Sequence, residues 1–191
     1  MLHSYLAVKG GFDGKRWLNS VSQATNEVPL GFTEAPITQG SQINIAEQPK
    51  KCSQSDALNT FRQKHVHFHQ PDHLLLRFLP SQLWLDLTLG KQQAFTRQNY
   101  QISTQSNRMG YRLKGKALEL GIIENPLSKP VCYGTIQCPS DGQPIVLMKD
   151  RQTIGGYPVL GTVIQTDLFR LSQKRPGESV RFLPVTLEQA Q

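Results

Sequence analysis

Gly134-Thr135-Ile136-Gln137-Cys138-Pro139-Ser140-Asp141-Gly142-Gln143-Pro144-Ile145-Val146-Leu147-Met148 sets the reading of the fold. Asp141-Gly142 is a turn signal, since Asp caps its own turn and Gly accepts a positive φ. Pro144 to Met148 is a short apolar run bounded by that turn, as expected of a buried strand. Toward the C-terminus, Gly155-Gly156 marks another turn and Gly161-Thr162-Val163-Ile164 a second apolar strand. Asp167 to Ser172 reads as one helix capped by Asp167. Pro176-Gly177 then turns the chain into a last strand, Ser179-Val180-Arg181-Phe182.

The same pattern runs back toward the N-terminus. Asn99 to Thr104 is extended. His73 to Leu79 reads as a buried strand bounded by Pro80. Ser81 precedes Gln82-Leu83-Trp84-Leu85 and is placed to cap a short helix, because its hydroxyl can accept from a free backbone N–H. Gln42 to Ala46 alternates polar and apolar residues, the period of a half-buried strand, next to Pro36-Ile37-Thr38 and the turn residues Gly40-Ser41. Tyr5 to Val8 is a short strand ending at Gly10-Gly11. Residues 47–72 combine polar residues with a His-rich stretch and read as a connector. Many short strands separated by Gly and Pro turns favour a closed or sandwiched β architecture. There is no internal repeat and no P-loop.

Composition narrows the class further. The chain has 191 residues, 38% hydrophobic and 18% charged, too moderate for disorder and too polar for a membrane protein. No apolar run approaches the roughly 20 residues needed to span a bilayer. Met1 to Gly10 lacks a charged start followed by a long apolar stretch, so no secretory signal is expected. Cys52, Cys132 and Cys138 are odd in number and irregularly spaced, with no CxxC, so neither a disulfide framework nor a zinc ribbon is expected. A cytoplasmic location fits. The net charge of +7 arises from only 14 acidic residues rather than a basic block. It therefore argues against a nucleic-acid binder and leaves an anionic substrate or acidic partner open.

Three segments carry a family resemblance: Ser103-Thr104-Gln105-Ser106-Asn107-Arg108-Met109-Gly110-Tyr111-Arg112-Leu113, Gly134 to Pro144, and Asp150-Arg151-Gln152-Thr153-Ile154-Gly155-Gly156-Tyr157-Pro158. With the opening Tyr5-Leu6-Ala7-Val8-Lys9-Gly10-Gly11-Phe12-Asp13, their order and spacing resemble the biotin-dependent carboxyltransferase family. That family includes the C component of 5-oxoprolinase, the KipI antagonist and allophanate hydrolase subunit 2. The resemblance implies a mostly β, cyclophilin-like β-barrel with few short helices. It divides the chain into the remainder of an N-terminal β unit (1–46), the connector (47–72) and the barrel (73–191).

Relatives have a further segment before the point where this chain begins, so the resemblance implies a chain lacking it. Apolar edges left where that segment packs lead us to expect self-association and no activity in isolation. A second departure is the stretch before Gly134. It is often acidic and glycine-rich in relatives and is Ser128-Lys129-Pro130-Val131-Cys132-Tyr133 here, so no contact from it is carried over.

Function follows as an expectation. As the C component of a 5-oxoprolinase, the chain would act directly with the B component and functionally with the A component, opening 5-oxoproline to glutamate at the expense of ATP. The resemblance implies that ATP binds in that complex, with this chain a candidate to hold it. The alternatives are a KipI-antagonist-type regulatory protein and a carboxyltransferase or allophanate-hydrolase-like subunit acting on a urea-like amide. Only the carboxyltransferase reading involves biotin. Both chemistries develop negative charge on oxygen, which guanidinium groups and fixed amide donors stabilise. Arg108, Asp150 and Arg151 are the catalytic candidates. Arg112, Gln137, Gln143, Gln152, Thr153, Gly155, Gly156 and Tyr157 are the substrate-binding candidates.

Each candidate has a plain alternative. Arg108 and Arg112 can fasten a barrel, Gly155-Gly156 can be a hairpin turn, and Asp150 can orient Arg151 or form a surface pair with it. His65, His67 and His69 alternate, with His73 close behind. They can bind a metal adventitiously or simply form a polar connector strand, and no functional metal site is expected. Nothing near Cys132 or Cys138 supplies the base a nucleophile needs, so both are expected to be structural.

Overall fold

A computed structural model describes residues 8, 11–14, 19, 37–45, 73–121 and 127–191. The chain falls into two compact units, Tyr5–His67 and Met1–Ser4 with Phe68–Gln191.

The larger unit is a closed barrel of seven strands. Its strands are β1 (His73–Pro80), β2 (Tyr100–Ile102), β3 (Gly110–Lys114), β5 (Thr135–Gln137), β6 (Ile145–Leu147), β8 (Val159–Val163) and β9 (Ser179–Pro184). Around the barrel the order is β1-β8-β5-β6-β3-β2-β9, and β9 closes the ring by pairing parallel to β1, His73 opposite Ser179. The other barrel pairs are antiparallel. A separate two-stranded ribbon pairs β4 (Lys129–Pro130) with β7 (Ile154–Gly155). Four short helices complete the described elements: α1 (Gln82–Asp86), α2 (Leu89–Arg97), α3 (Gln165–Leu171) and α4 (Leu187–Ala190). The mostly β barrel with few short helices is thus the fold the sequence led us to expect.

Strand alternation builds the core. Along β1, Leu74, Leu76 and Phe78 are buried. With period two they share one face, while Leu75 and Arg77 point the other way. Val180 and Phe182 do the same on β9. The two helices after β1 fill one part of the core with aromatic rings. Ser81 caps α1, its Oγ accepting from the Trp84 N–H at 3.2 Å while its hydroxyl donates to the Val159 carbonyl at 2.6 Å. Trp84 then meets Phe78 edge-on at 5.0 Å, and Phe95 from α2 stacks on Phe182 at 4.7 Å. The strands β1 and β8 approach so closely at Gly161 that a Cβ there would lie 2.4 Å from the Leu79 carbonyl oxygen. Only glycine fits that crossing.

Several expectations are corrected. Helix α2 escapes sequence reading because Phe95 is its one buried residue and Thr88, at its start, makes no side-chain cap. Asp167 does not cap α3, whose N-cap is Ile164. The Asp167 carboxylate is buried and accepts instead from the Arg77 backbone N–H at 2.9 Å and its guanidinium at 2.8 Å, tying α3 to β1. In the smaller unit, among the described residues, Gln42 to Ile45 forms only an isolated antiparallel bridge, Ile45 to Phe12, with the Asp13 N–H donating to the Asn44 carbonyl. The Tyr5–Val8 strand, apart from Val8, and the 47–72 connector lie outside the described residues.

Candidate functional site

Strand β5 carries the first element of the site. Thr135, Ile136 and Gln137 are all buried, although a strand sends alternate residues to opposite faces. Ile136 belongs to the core. Gln137 faces the other way, toward Gly155 of the ribbon strand β7. A Cβ on Gly155 would fall 2.6 Å from Gln137 Nε2. A side chain there would have to displace the Gln137 amide, so Gly155 serves close packing over an amide rather than a turn. The expected Gly155-Gly156 hairpin turn is corrected accordingly: Gly155 is a strand residue opposite Lys129.

The amide beneath it is half satisfied. Gln137 Oε1 accepts from Gln152 Nε2 at 3.4 Å, a long hydrogen bond. Gln137 Nε2 has no partner, and neither does the buried Nε of Arg151. These are the two buried side-chain nitrogen or oxygen atoms without a partner among the described residues. Leaving such a group unpaired costs about 1–3 kcal/mol. Both atoms are donors, so both call for an acceptor oxygen. Carbonyl and carboxylate oxygens are acceptors of the required kind.

Two clefts flank the 155–158 segment, and Tyr157 and Pro158 line both. One, of about 490 Å³, runs between residues 117–121 and 138–142 and carries the carboxyl groups of Glu119 and Asp141. The other, of about 400 Å³, lies between the ribbon and the start of α1. Lys129, Gly155, Gly156 and Tyr157 line it, with Leu83 and Val159 among its apolar walls. Both fall in the size range of small-ligand sites.

The remaining candidates are scattered by the fold. Arg108 pairs with Asp150, Nε to Oδ2 at 2.8 Å and a second nitrogen to Oδ1 at 3.3 Å. Asp150 thus orients Arg108 and not its neighbour Arg151. Arg112 lies on β3 with its side chain exposed. Its backbone carries the 103–106 turn: the Arg112 N–H donates to Ser106 Oγ and its carbonyl accepts from the Ser103 N–H. The Gln143 amide is used at both ends, Oε1 accepting from the Gly115 N–H at 2.9 Å and Nε2 donating to the Gly115 carbonyl at 3.1 Å. That clamp leaves it little for a ligand. Thr153 is exposed, and its carbonyl accepts from the Val131 N–H. The structure therefore unites Gln137, Gln152 and Gly155, places Gly155, Gly156 and Tyr157 on one cleft, and leaves Arg112 and Gln143 in backbone-bracing roles. Lys129 escaped the sequence reading, because only the pairing of β4 with β7 brings it beside Gly155.

Cys132 and Cys138 are free thiols. Burial, helped by Asp141, pushes the Cys138 thiol up to about 12, so it stays protonated and is no nucleophile at neutral pH. His73 opens β1, whereas His65, His67 and His69 lie outside the described residues. Among the described residues no helix is long and apolar enough to cross a membrane.

Comparison with known proteins agrees with this architecture. The C component of 5-oxoprolinase from Escherichia coli (strain K12) is 35% identical over 190 residues, 99% of this chain and 58% of its own length. The protein of the same name from Haemophilus influenzae is 33% identical over 189 residues, with the same two coverages. The chain therefore spans less than two thirds of the length of these curated relatives. Kluyveromyces lactis urea carboxylase shares the fold, with a TM-score of 0.63 over 95% of this chain and 17% of that one at 18% identity. The family described as carboxyltransferase domain, subdomain A and B, matches residues 2–184, and the chain belongs to it.

Proposed function

We propose that this chain works as the C component of an ATP-dependent 5-oxoprolinase, binding the B component directly and acting with the A component to convert 5-oxoproline to glutamate. The observation that carries this reading is the 35% identity to a 5-oxoprolinase C component across 99% of the chain. The geometry is compatible with it. Ring opening of a lactam puts negative charge on the carbonyl oxygen, and fixed N–H donors in a water-poor setting stabilise such charge. Gln137 Nε2 and Arg151 Nε are buried donors without a partner among the described residues. ATP supplies the driving force for opening the amide. It is a substrate of the complex, and no residue of this chain is assigned to it.

A second reading is carboxyl transfer to a urea-like amide, which the description of the matching family favours. It would use biotin on a separate carrier. A ureido carbonyl asks for the same kind of donor as a lactam carbonyl, so the Gln137 amide suits either. When bound, the biotin group would deliver the carboxyl unit. This chain would then contribute donors and a shielded pocket.

Phosphate release from ATP in the presence of 5-oxoproline tests the first reading, with this chain mixed with its matching A and B components. Release that needs all three proteins and the lactam is the expected result. Release that is indifferent to this chain, or stimulation by urea rather than 5-oxoproline, would overturn it.

A further inference from the structure

We propose that the β4–β7 ribbon is a lid over the Gln137 amide, closed in this structure, and that solvent and ligand reach that amide when the ribbon lifts. This deepens the functional reading above, and the ligand side of it rests on that reading. Gln137 is only 1% exposed, and Gly155 of β7 packs directly over its Nε2. An acceptor oxygen therefore has no route to Nε2 while the ribbon is down. Yet Nε2 is left without a partner among the described residues, and so is the buried Nε of Arg151 at the foot of the β7 arm. An unpaired buried donor works against the closed arrangement, because water would satisfy it once the cover moved.

The attachment of the ribbon suits movement as a unit. It forms its own two-stranded sheet and joins no barrel strand. The Val131 N–H donates to the Thr153 carbonyl at 2.9 Å, which ties one arm to the other rather than to the barrel. Fixed points sit at the ends of the arms. The Cys132 N–H donates to Thr135 Oγ1 at 3.0 Å, the Arg151 N–H donates to the Met148 carbonyl at 3.3 Å, and the Pro158 carbonyl accepts from the Cys138 N–H at 2.9 Å. Between Arg151 and Pro158, the one hydrogen bond to a barrel strand among the described residues runs from Gln152 Nε2 to Gln137 Oε1. At 3.4 Å it is a weak latch. Lifting would uncover little core, since Ile154 and Tyr157 already face outward, 61% and 53% exposed. The clefts on either side of residues 155–158 leave space for the movement. A segment with so few buried apolar contacts and hydrogen bonds belongs to the low-stability end of a fold, from which lids are drawn.

Solvent exchange of the Gln137 side-chain amide protons, followed by NMR on the full chain at low urea concentrations, tests the lid. The references are the backbone amides of Gly134 and Val163, which donate to Leu147 and Gly134 within the barrel. We expect the Gln137 protons to be protected about a hundredfold less than the references, at a rate that urea hardly changes, as local opening requires. Gly155→Ala places a methyl 2.6 Å from Nε2, which should prop the lid. Exchange at Gln137 should then rise about tenfold. Gln152→Met removes the latch and should raise it about threefold. Neither variant should alter exchange at Gly134 or Val163. A Gln137 amide that exchanges in step with the barrel, with the same urea dependence, would overturn the proposal. So would Gln137 exchange that is unchanged in Gln152→Met, or variants that speed the barrel amides equally. Exchange is read without substrate or partners, so the two readings fail separately. Local opening at Gln137 without lactam-dependent phosphate release rejects the enzyme reading and keeps the lid. Phosphate release with a Gln137 amide that opens only on global unfolding rejects the lid and keeps the enzyme reading.

Discussion

The aromatic side of the barrel and the ribbon side are built from the same short strands, yet they spend their side chains differently. On the aromatic side, Phe78, Trp84, Phe95, Tyr100 and Phe182 are almost wholly buried, their rings set edge-on, tilted or stacked at 4.7 to 6.2 Å. Even the Tyr100 hydroxyl is paired, accepting from Gln98 Nε2 at 2.6 Å. On the ribbon side, Leu127, Ile154 and Tyr157 stand exposed while Gln137 and Arg151 each bury a donor with no partner among the described residues. The first region is arranged for stability. The second tolerates a cost to stability, which is the usual mark of a surface kept for binding.

Three substitutions break or sharpen that contrast. The largest effect belongs to the aromatic side. Phe95→Ala should cost about 3–5 kcal/mol, since it empties a fully buried site and removes a stacked contact with Phe182. Denaturant unfolding would read this as a lower midpoint with little change of slope. A loss below about 1 kcal/mol would mean that the rings repack freely and the contrast is false.

The ribbon side should respond in the opposite sense. Gln137→Met keeps the volume and removes the orphan donor, so stability should hold or rise by about 1 kcal/mol. The same variant should lose most of its lactam binding. If stability instead drops by several kcal/mol with binding intact, Gln137 is a structural amide and the site lies elsewhere.

Arg108→Ala should show the smallest effect. The Arg108–Asp150 pair is bidentate, but the arginine side chain is 54% exposed, so its loss should cost no more than about 1 kcal/mol and less at high salt. Chemical denaturation at two salt concentrations is sufficient to measure it. A large loss of 5-oxoproline-dependent turnover with unchanged stability would return Arg108 to a catalytic role.

Periodicity and turn chemistry act between residues close in the chain, and that range sets what was legible in the residues alone. The strand His73–Leu79, the Ser81 cap, the Asp141-Gly142 turn and the final strand after Pro176-Gly177 were all readable, because each depends on neighbours a few positions away. The family segments likewise pointed to a barrel and to Gln137, Gln152 and Gly155 as candidates. Helix α2 was not readable, because a helix with one buried residue leaves no periodic stripe.

Tertiary structure alone decided how the candidates divide. It turned Gln143 onto the backbone of Gly115, gave Asp150 to Arg108, and laid Gly155 over the amide of Gln137. It also brought Lys129 opposite Gly155, 26 positions later in the chain. Which polar group stays unpaired in a folded chain depends on every partner the fold brings near, and barrel closure, not local pattern, selects those partners.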